Sequence, residues 1–167
     1  MDAERWFYPD TSYIYGGFKK DALDFKLKRK PRKKFKGKIK DHAQEFMEKG
    51  IRFVVSELTE YEIKHSLMVE EGLTFFQANK IFQDRMSRIH IYTKIRGFKE
   101  IKISNDVLNW ALEHKLELLD AFHILIATKL SLFIITKESG NRFERWSKAY
   151  DSVLSTRQFQ EFISELT

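Results

Sequence analysis

The chain has 167 residues, enough for one domain with a full core, and a net charge of +6. It contains no cysteine, which excludes disulfides and thiolate zinc sites and fits a reducing, cytoplasmic setting. No N-terminal signal pattern is visible. The most apolar stretch is interrupted by Asp120, His123 and Lys129, so no membrane span is expected.

In chain order, Arg5 to Pro9 reads as a strand ending at Asp10-Thr11-Ser12. A helix is expected next, then a basic block. From Lys19 to Lys40 the chain carries 12 Lys and Arg against Asp21 and Asp24. That local +10 within a total of +6 leaves −4 for the rest. A basic block on a mildly acidic body points to a polyanion, above all nucleic acid. Lys28, Arg29, Lys33 and Lys34 are its candidate phosphate contacts, and Phe25 and Phe35 are placed to stack on bases. A solvated arm that only confers solubility is the plainer reading.

Lys30-Pro31 breaks any helix in the block. Asp41 to Lys49 reads as a short amphipathic helix stopped by Gly50. Arg52 to Ser56 is a second buried strand, followed by a helix from about Thr59 to Glu70. Phe75, Ala78, Phe82, Met86 and Ile89 form the stripe of another helix. Tyr92 to Ile103 mixes loop and strand signals. Ser104 caps a helix to about His114. Leu119 to Leu130 is a nearly apolar helix, and Leu132 to Thr136 a short buried strand. Asn141 to Ala149 reads as helix, Ser152 to Leu154 as an edge strand, and Arg157 to Leu166 as a last helix.

Strands alternating with helices predict an α/β fold, a parallel sheet covered on both faces. Ligands gather beyond the carboxyl ends of such strands. Asp10 ends the first strand, and Glu62 lies on the helix after the second. A helix of about 12 residues is about 18 Å long. A five-residue strand spans about 17 Å. If the chain reverses at Ser131, Asp120 and Glu138 meet at the same edge. Four carboxylates then converge.

Each acid has a plain structural explanation. Asp10 can begin a turn, and Glu62 can bond back to the Thr59 amide in a capping box. Asp120 can favour its helix dipole, and Glu138 can be a loop acid. Glu57 and Glu60 compete with Glu62. Together, however, the four acids repel, and a hard divalent cation resolves that cost. Removing one is expected to relieve repulsion, so Asp10→Asn and Asp120→Asn should keep or raise metal-free stability. Thr11, Ser12 and Thr136 stand beside the acids as candidate phosphate or metal-water contacts. His123 reads as a core residue or a support for the acids. The five histidines lack zinc-ligand spacing, and no glycine-rich phosphate loop occurs.

Asp10-Thr11-Ser12, Ser56-x-x-Thr59-x-x-Glu62, Asp120-Ala121-x-His123-Ile124-x-x-Ala127 and Ile135-Thr136-x-Glu138 resemble the PIN-domain signatures. The similarity is nearest to VapC-type toxin ribonucleases and spans nearly the whole chain. The stretch Val153 to Phe159 resembles the end of that domain. The resemblance implies a three-layer α/β/α nuclease domain over residues 1–167, with the basic insertion at about 19–40. It implies Mg²⁺ or Mn²⁺ held by Asp10, Glu62, Asp120 and Glu138, and RNA cleavage leaving a 5′-phosphate and a 3′-hydroxyl. It also implies an antitoxin protein and a homodimer as partners. Two departures stand out. Glu138 replaces the usual Asp, and Asn141-Arg142-Phe143 stands where a second acid and an aromatic are usual. The basic block also lengthens the gap from Asp10 to Glu62. The alternatives are a PIN-like nucleic-acid-binding module with weak or no catalysis, and an RNA-processing or structure-specific nuclease, with DNA as its other substrate.

Overall fold

The computed structural model describes residues 4–29, 42–90, 92–94 and 103–166. Lys33, Lys34 and Phe35 lie outside the described residues, as do most of the ambiguous stretch after Tyr92 and the Lys30-Pro31 break.

Among the described residues five strands build the centre: β1 (Arg5–Pro9), β2 (Ile51–Val55), β3 (Tyr92–Lys94), β4 (Phe133–Thr136) and β5 (Val153–Ser155). Every pairing is parallel, in the order β3-β2-β1-β4-β5. Among the described residues eight helices connect and cover them: α1 (Thr11–Arg29), α2 (Ala43–Glu48), α3 (Glu57–Val69), α4 (Phe75–Arg88), α5 (Asn105–Glu113), α6 (Leu118–Leu130), α7 (Gly140–Ala149) and α8 (Thr156–Ser164). The result is a three-layer α/β/α sandwich. No helix among the described residues is long and apolar enough to cross a membrane.

Side-chain alternation along the strands sorts the core. Tyr8 and Ile134 are register partners and pack under α5, α6 and α7 with Ala121, Ile124 and Trp146. Their chain neighbours Phe7 and Ile135 pack on the opposite face with Phe46, Phe53 and Phe159. A third cluster joins α1, α3 and α4 through Ile14, Phe18, Ile63, Leu67 and Phe82. Burial on both faces explains why the strands read as nearly unbroken apolar runs.

The chain does reverse at Ser131, which adopts a left-handed φ of 53°. Leu132 N–H donates to the Ala127 carbonyl and Ser131 N–H to that of Thr128, closing the helix in a Schellman motif. This returns β4 alongside α6, so the start of α6 and the end of β4 share one edge.

Three local readings change. The helix after β2 starts at Glu57, because Ser56 rather than Thr59 caps it, its Oγ accepting from Thr59 N–H. The capping box that would have occupied Glu62 therefore does not form. The first helix runs to Arg29, so the first half of the basic block is helical. Phe25 packs against the α1–α3–α4 core instead of standing free to stack on bases.

Candidate functional site

The chain passes from β1 outward to β2 and β3, then returns to β4 on the other side of β1. The ends of β1 and β4 thus form the topological switch point, the place where open parallel α/β sheets receive their ligands. Asp10 sits there. Its N–H donates to the Ile135 carbonyl at 2.8 Å, and Thr136 Oγ1 donates to its Oδ2 at 3.1 Å. Ser12 Oγ donates to the same oxygen at 2.5 Å. Asp10 is buried, fastened by the ends of two strands and the first turn of α1.

Of the three acids in the first turns of α3, Glu62 is the one that faces Asp10. Its Oε2 accepts from Thr11 Oγ1 and from His123 Nε2, the latter at 2.6 Å. Glu60 turns away and pairs with Lys64 and Lys94. His123 is fully enclosed. Its Nδ1 meets Tyr8 Oη at 2.7 Å, and Tyr8 in turn meets Ser56 Oγ at 2.9 Å. Its Nε2 is also 3.7 Å from Asp10 Oδ1.

Burial alone would lower the basicity of His123. The hydrogen bond to Glu62 and the charges of Asp10, Glu62 and Asp120 outweigh it, and the imidazole titrates above its ordinary value. Burial likewise opposes ionisation of Glu62, but His123 and Thr11 hold that carboxyl below the usual range. Burial pushes the Tyr8 hydroxyl up, so it remains a phenol. When His123 is protonated it donates from both nitrogens, and Tyr8 Oη, accepting from Nδ1, donates its own hydrogen bond to Ser56 Oγ.

Asp10, Glu62 and His123 can each offer one ligand atom within 4.8 Å of the others, and among the described residues they form the one such group. Carboxylate oxygens are the donors that Mg²⁺ and Mn²⁺ prefer, and Mn²⁺ also accepts an imidazole nitrogen. The donor set fits such an ion.

The other two acids are arranged differently. Asp120, in the first turn of α6, is buried, and Trp146 Nε1 donates to its Oδ2 at 3.2 Å. Arg142, in the first turn of α7, grips it with two parallel bonds, Nε to Oδ2 at 3.1 Å and Nη2 to Oδ1 at 2.9 Å. Arg142 Nη1 lies 3.4 Å from Glu138 Oε1, and Nη2 lies 3.6 Å from Glu117 Oε2. Burial raises the Glu138 carboxyl; Arg142 pulls it back, but Asp10, Asp120 and Glu117 keep it above its ordinary value. Glu138 N–H donates to Thr136 Oγ1, tying this corner to Asp10.

All four acids singled out in the sequence therefore lie at one edge, as two pairs. His123 serves Asp10 and Glu62; Arg142 serves Asp120 and Glu138. Sequence reasoning noticed Arg142 only as a departure from a motif and did not place it among the acids. The available signal was its position four residues after Glu138, near enough in sequence for the two charges to meet where α7 begins. Nothing local in the sequence marks the polar atoms of Tyr8 and Trp146, whose partners are distant in the chain. Lys28 is exposed on α1 away from these acids, and Arg29 closes that helix.

The chain is similar to the crystal structure of PAE2754 from Pyrobaculum aerophilum, with a TM-score of 0.55 and 14% sequence identity. The match covers 98% of this chain and 97% of that one, and at this identity it shows a shared fold. No family model matches the chain, and no curated protein does.

Proposed function

We propose that this protein is a metal-dependent endoribonuclease of PIN type. The observation that supports the reading most is the grouping of Asp10, Glu62 and His123 at the switch point, where a parallel α/β sheet receives its ligand. Mg²⁺ or Mn²⁺ would be held by Asp10 and Glu62, with His123 beside them. Such an ion supplies a water of lowered pKa and stabilises charge on a scissile phosphate.

The chain's own residues supply the rest. Thr11 and Thr136 orient the two carboxylates, and Ser12 fixes Asp10 Oδ2. Asp10 Oδ1 lies 3.7 Å from the imidazole, on the side that Glu62 shares. Tyr8 holds His123 Nδ1, which turns Nε2 of the buried imidazole toward Glu62. The basic block tracks the RNA backbone and contributes affinity rather than sequence choice. In-line attack leaves a 5′-phosphate and a 3′-hydroxyl. The toxin role, a neutralising antitoxin, a homodimer and a cytoplasmic location belong to the same proposal.

A second reading is a nucleic-acid-binding module with weak or no catalysis. The bidentate Arg142–Asp120 pair favours it, since both oxygens of one expected ligand are taken. Incubating the purified protein with RNA in Mn²⁺ or in chelator decides between them. Cleavage that requires Mn²⁺ and disappears in Asp10→Asn is the expected result. RNA binding without metal-dependent cleavage would establish the binding module instead.

A further inference from the structure

Arg142 stands where its own helix does not favour it. It is the third residue of α7, and a positive charge in a first helical turn opposes the helix dipole. Three carboxylates hold it there. Asp120 takes the guanidinium in the two-pronged geometry that suits arginine, while Glu138 and Glu117 approach at 3.4 and 3.6 Å. The Asp120 side chain is 10% exposed, whereas Arg142 keeps 38%, so the guanidinium closes the acidic corner from the solvent side.

A divalent ion on the Asp120–Glu138 side would need those same oxygens. Both Asp120 oxygens are engaged by Arg142, and Oδ2 also accepts from Trp146. The opposite half is built otherwise. There the internal partner is an imidazole, which can lose a proton and serve as a ligand itself, whereas a guanidinium can do neither. The two halves of the site therefore differ in kind: one can exchange its internal cation for a metal, and the other carries a permanent one.

Resting on the metal reading above, we propose that Arg142 is the resident second cation of this site. It fills the Asp120–Glu138 half and limits the protein to one tightly bound divalent ion, on the Asp10–Glu62 side. Two-metal phosphodiester chemistry places a second ion about 3.5–4 Å from the first to stabilise the other oxygen of the displacement. In this protein a fixed guanidinium occupies that role, and its exposed edge offers hydrogen-bond donors to a phosphate.

Metal binding tests this without any nuclease assay. The free Mn²⁺ signal in electron paramagnetic resonance gives the number of ions bound per chain for wild type, Arg142→Gln, Arg142→Lys and the double variant Arg142→Gln/Asp120→Asn. Wild type should bind one ion. Arg142→Gln should gain a second, with affinity tighter by on the order of tenfold or more than any weak second site in wild type. The double variant should lose that gain. Arg142→Lys keeps the charge without the fork and should remain close to wild type. In chelator, Arg142→Gln should melt below wild type and recover on adding Mn²⁺. Two tight ions in wild type would overturn the proposal, as would equal stoichiometry in wild type and Arg142→Gln. No ion in wild type and one in Arg142→Gln, lost in the double variant, would support the role of Arg142 and instead overturn metal binding at Asp10 and Glu62. If Arg142→Gln does not fold, the wild-type stoichiometry and Arg142→Lys still decide.

Discussion

His123 Nε2 lies 2.6 Å from Glu62 Oε2, joining the middle of α6 to α3 across 61 residues of chain. Both partners carry shifted titrations, in opposite senses. The pair is therefore a measurable contributor to stability as well as part of the candidate metal group.

Its pH dependence has a definite sign. Glu62 is held below its ordinary 4.5, so its contribution is complete above that pH and is lost as pH falls through the lowered value. His123 is held above its ordinary 6.5, so its contribution is complete below that pH and is lost as pH rises through the raised value. The metal-free protein should draw most from this pair between about pH 4.5 and 6.5. Urea unfolding in chelator should show a loss on the order of 1–3 kcal/mol from this pair on the alkaline side. His123→Gln should flatten that limb. An unchanged pH profile in His123→Gln would remove the pair from the account.

Asp120→Asn should lower metal-free stability, the reverse of what four mutually repelling acids imply. The carboxylate accepts twice from Arg142 and once from Trp146; asparagine keeps one acceptor oxygen but removes the charge and sets an NH2 donor against the remaining donors. The expected cost is about 1–3 kcal/mol, less than the ~3–5 kcal/mol of a fully buried pair because Arg142 is partly hydrated. Thermal melting in chelator measures it. A melting temperature at or above wild type would restore the repulsion argument for Asp120.

Gly17→Ala should destabilise by about 1–3 kcal/mol through overpacking. A Cβ at Gly17 would come within 2.1 Å of Arg85 Nη2, and Arg85 is only 1% exposed. The guanidinium also bonds the Gly17 carbonyl and Asp21 and lies 5.3 Å from the Phe18 ring. It has little freedom to retreat. Denaturant midpoints of Gly17→Ala and Gly17→Ser check this, and a neutral Gly17→Ala would mean that Arg85 repacks easily.

RNA affinity should separate the cations of the basic block into two kinds. Lys19 and Lys26 both pair with Glu71, so part of their charge is already answered. Lys28 is exposed at the end of α1. Neutralising Lys28, Arg29, Lys33 and Lys34 should weaken RNA binding for unrelated sequences and flatten its salt dependence, by about 0.7 in slope per lost contact on single strands. Neutralising Lys19 and Lys26 should change the slope less. Salt titrations of binding compare the two sets, and an unaltered slope in the first would make the block a solubility arm.

Glu138→Gln should weaken the Arg142 anchor only slightly, because Glu138 makes one longer contact where Asp120 makes two short ones. Its melting temperature in chelator should fall less than that of Asp120→Asn. The opposite order would make Glu138, not Asp120, the main hold on Arg142.

Much of this protein could be read from local chemistry. Apolar runs of strand length alternated with amphipathic or buried stretches of helix length, which determines an α/β parallel sheet because each pattern has its own period. The acids at the strand ends and first turns were legible too, since carboxylates there stand out against apolar neighbours. Ser104 before Asn105 announced its helix correctly, because a cap acts within three residues. What failed was whatever depended on distant partners. Whether Ser56 or Thr59 began α3 turned on a cap that Tyr8, 48 residues earlier, helps to hold. Phe25, placed by the sequence to stack on bases, instead packs against the core that α1 shares with α3 and α4. The sequence singles out Glu62 ahead of Glu57 and Glu60, but its contact with His123 exists only in the packed fold. The pairing of Arg142 with Asp120 required α6 and α7 to start at the same edge. Local sequence decides which groups can be charged and where helices begin. Only the packed fold decides which charges meet, because Coulomb and hydrogen-bond energies fall off over a few ångströms and sequence separation carries no such information.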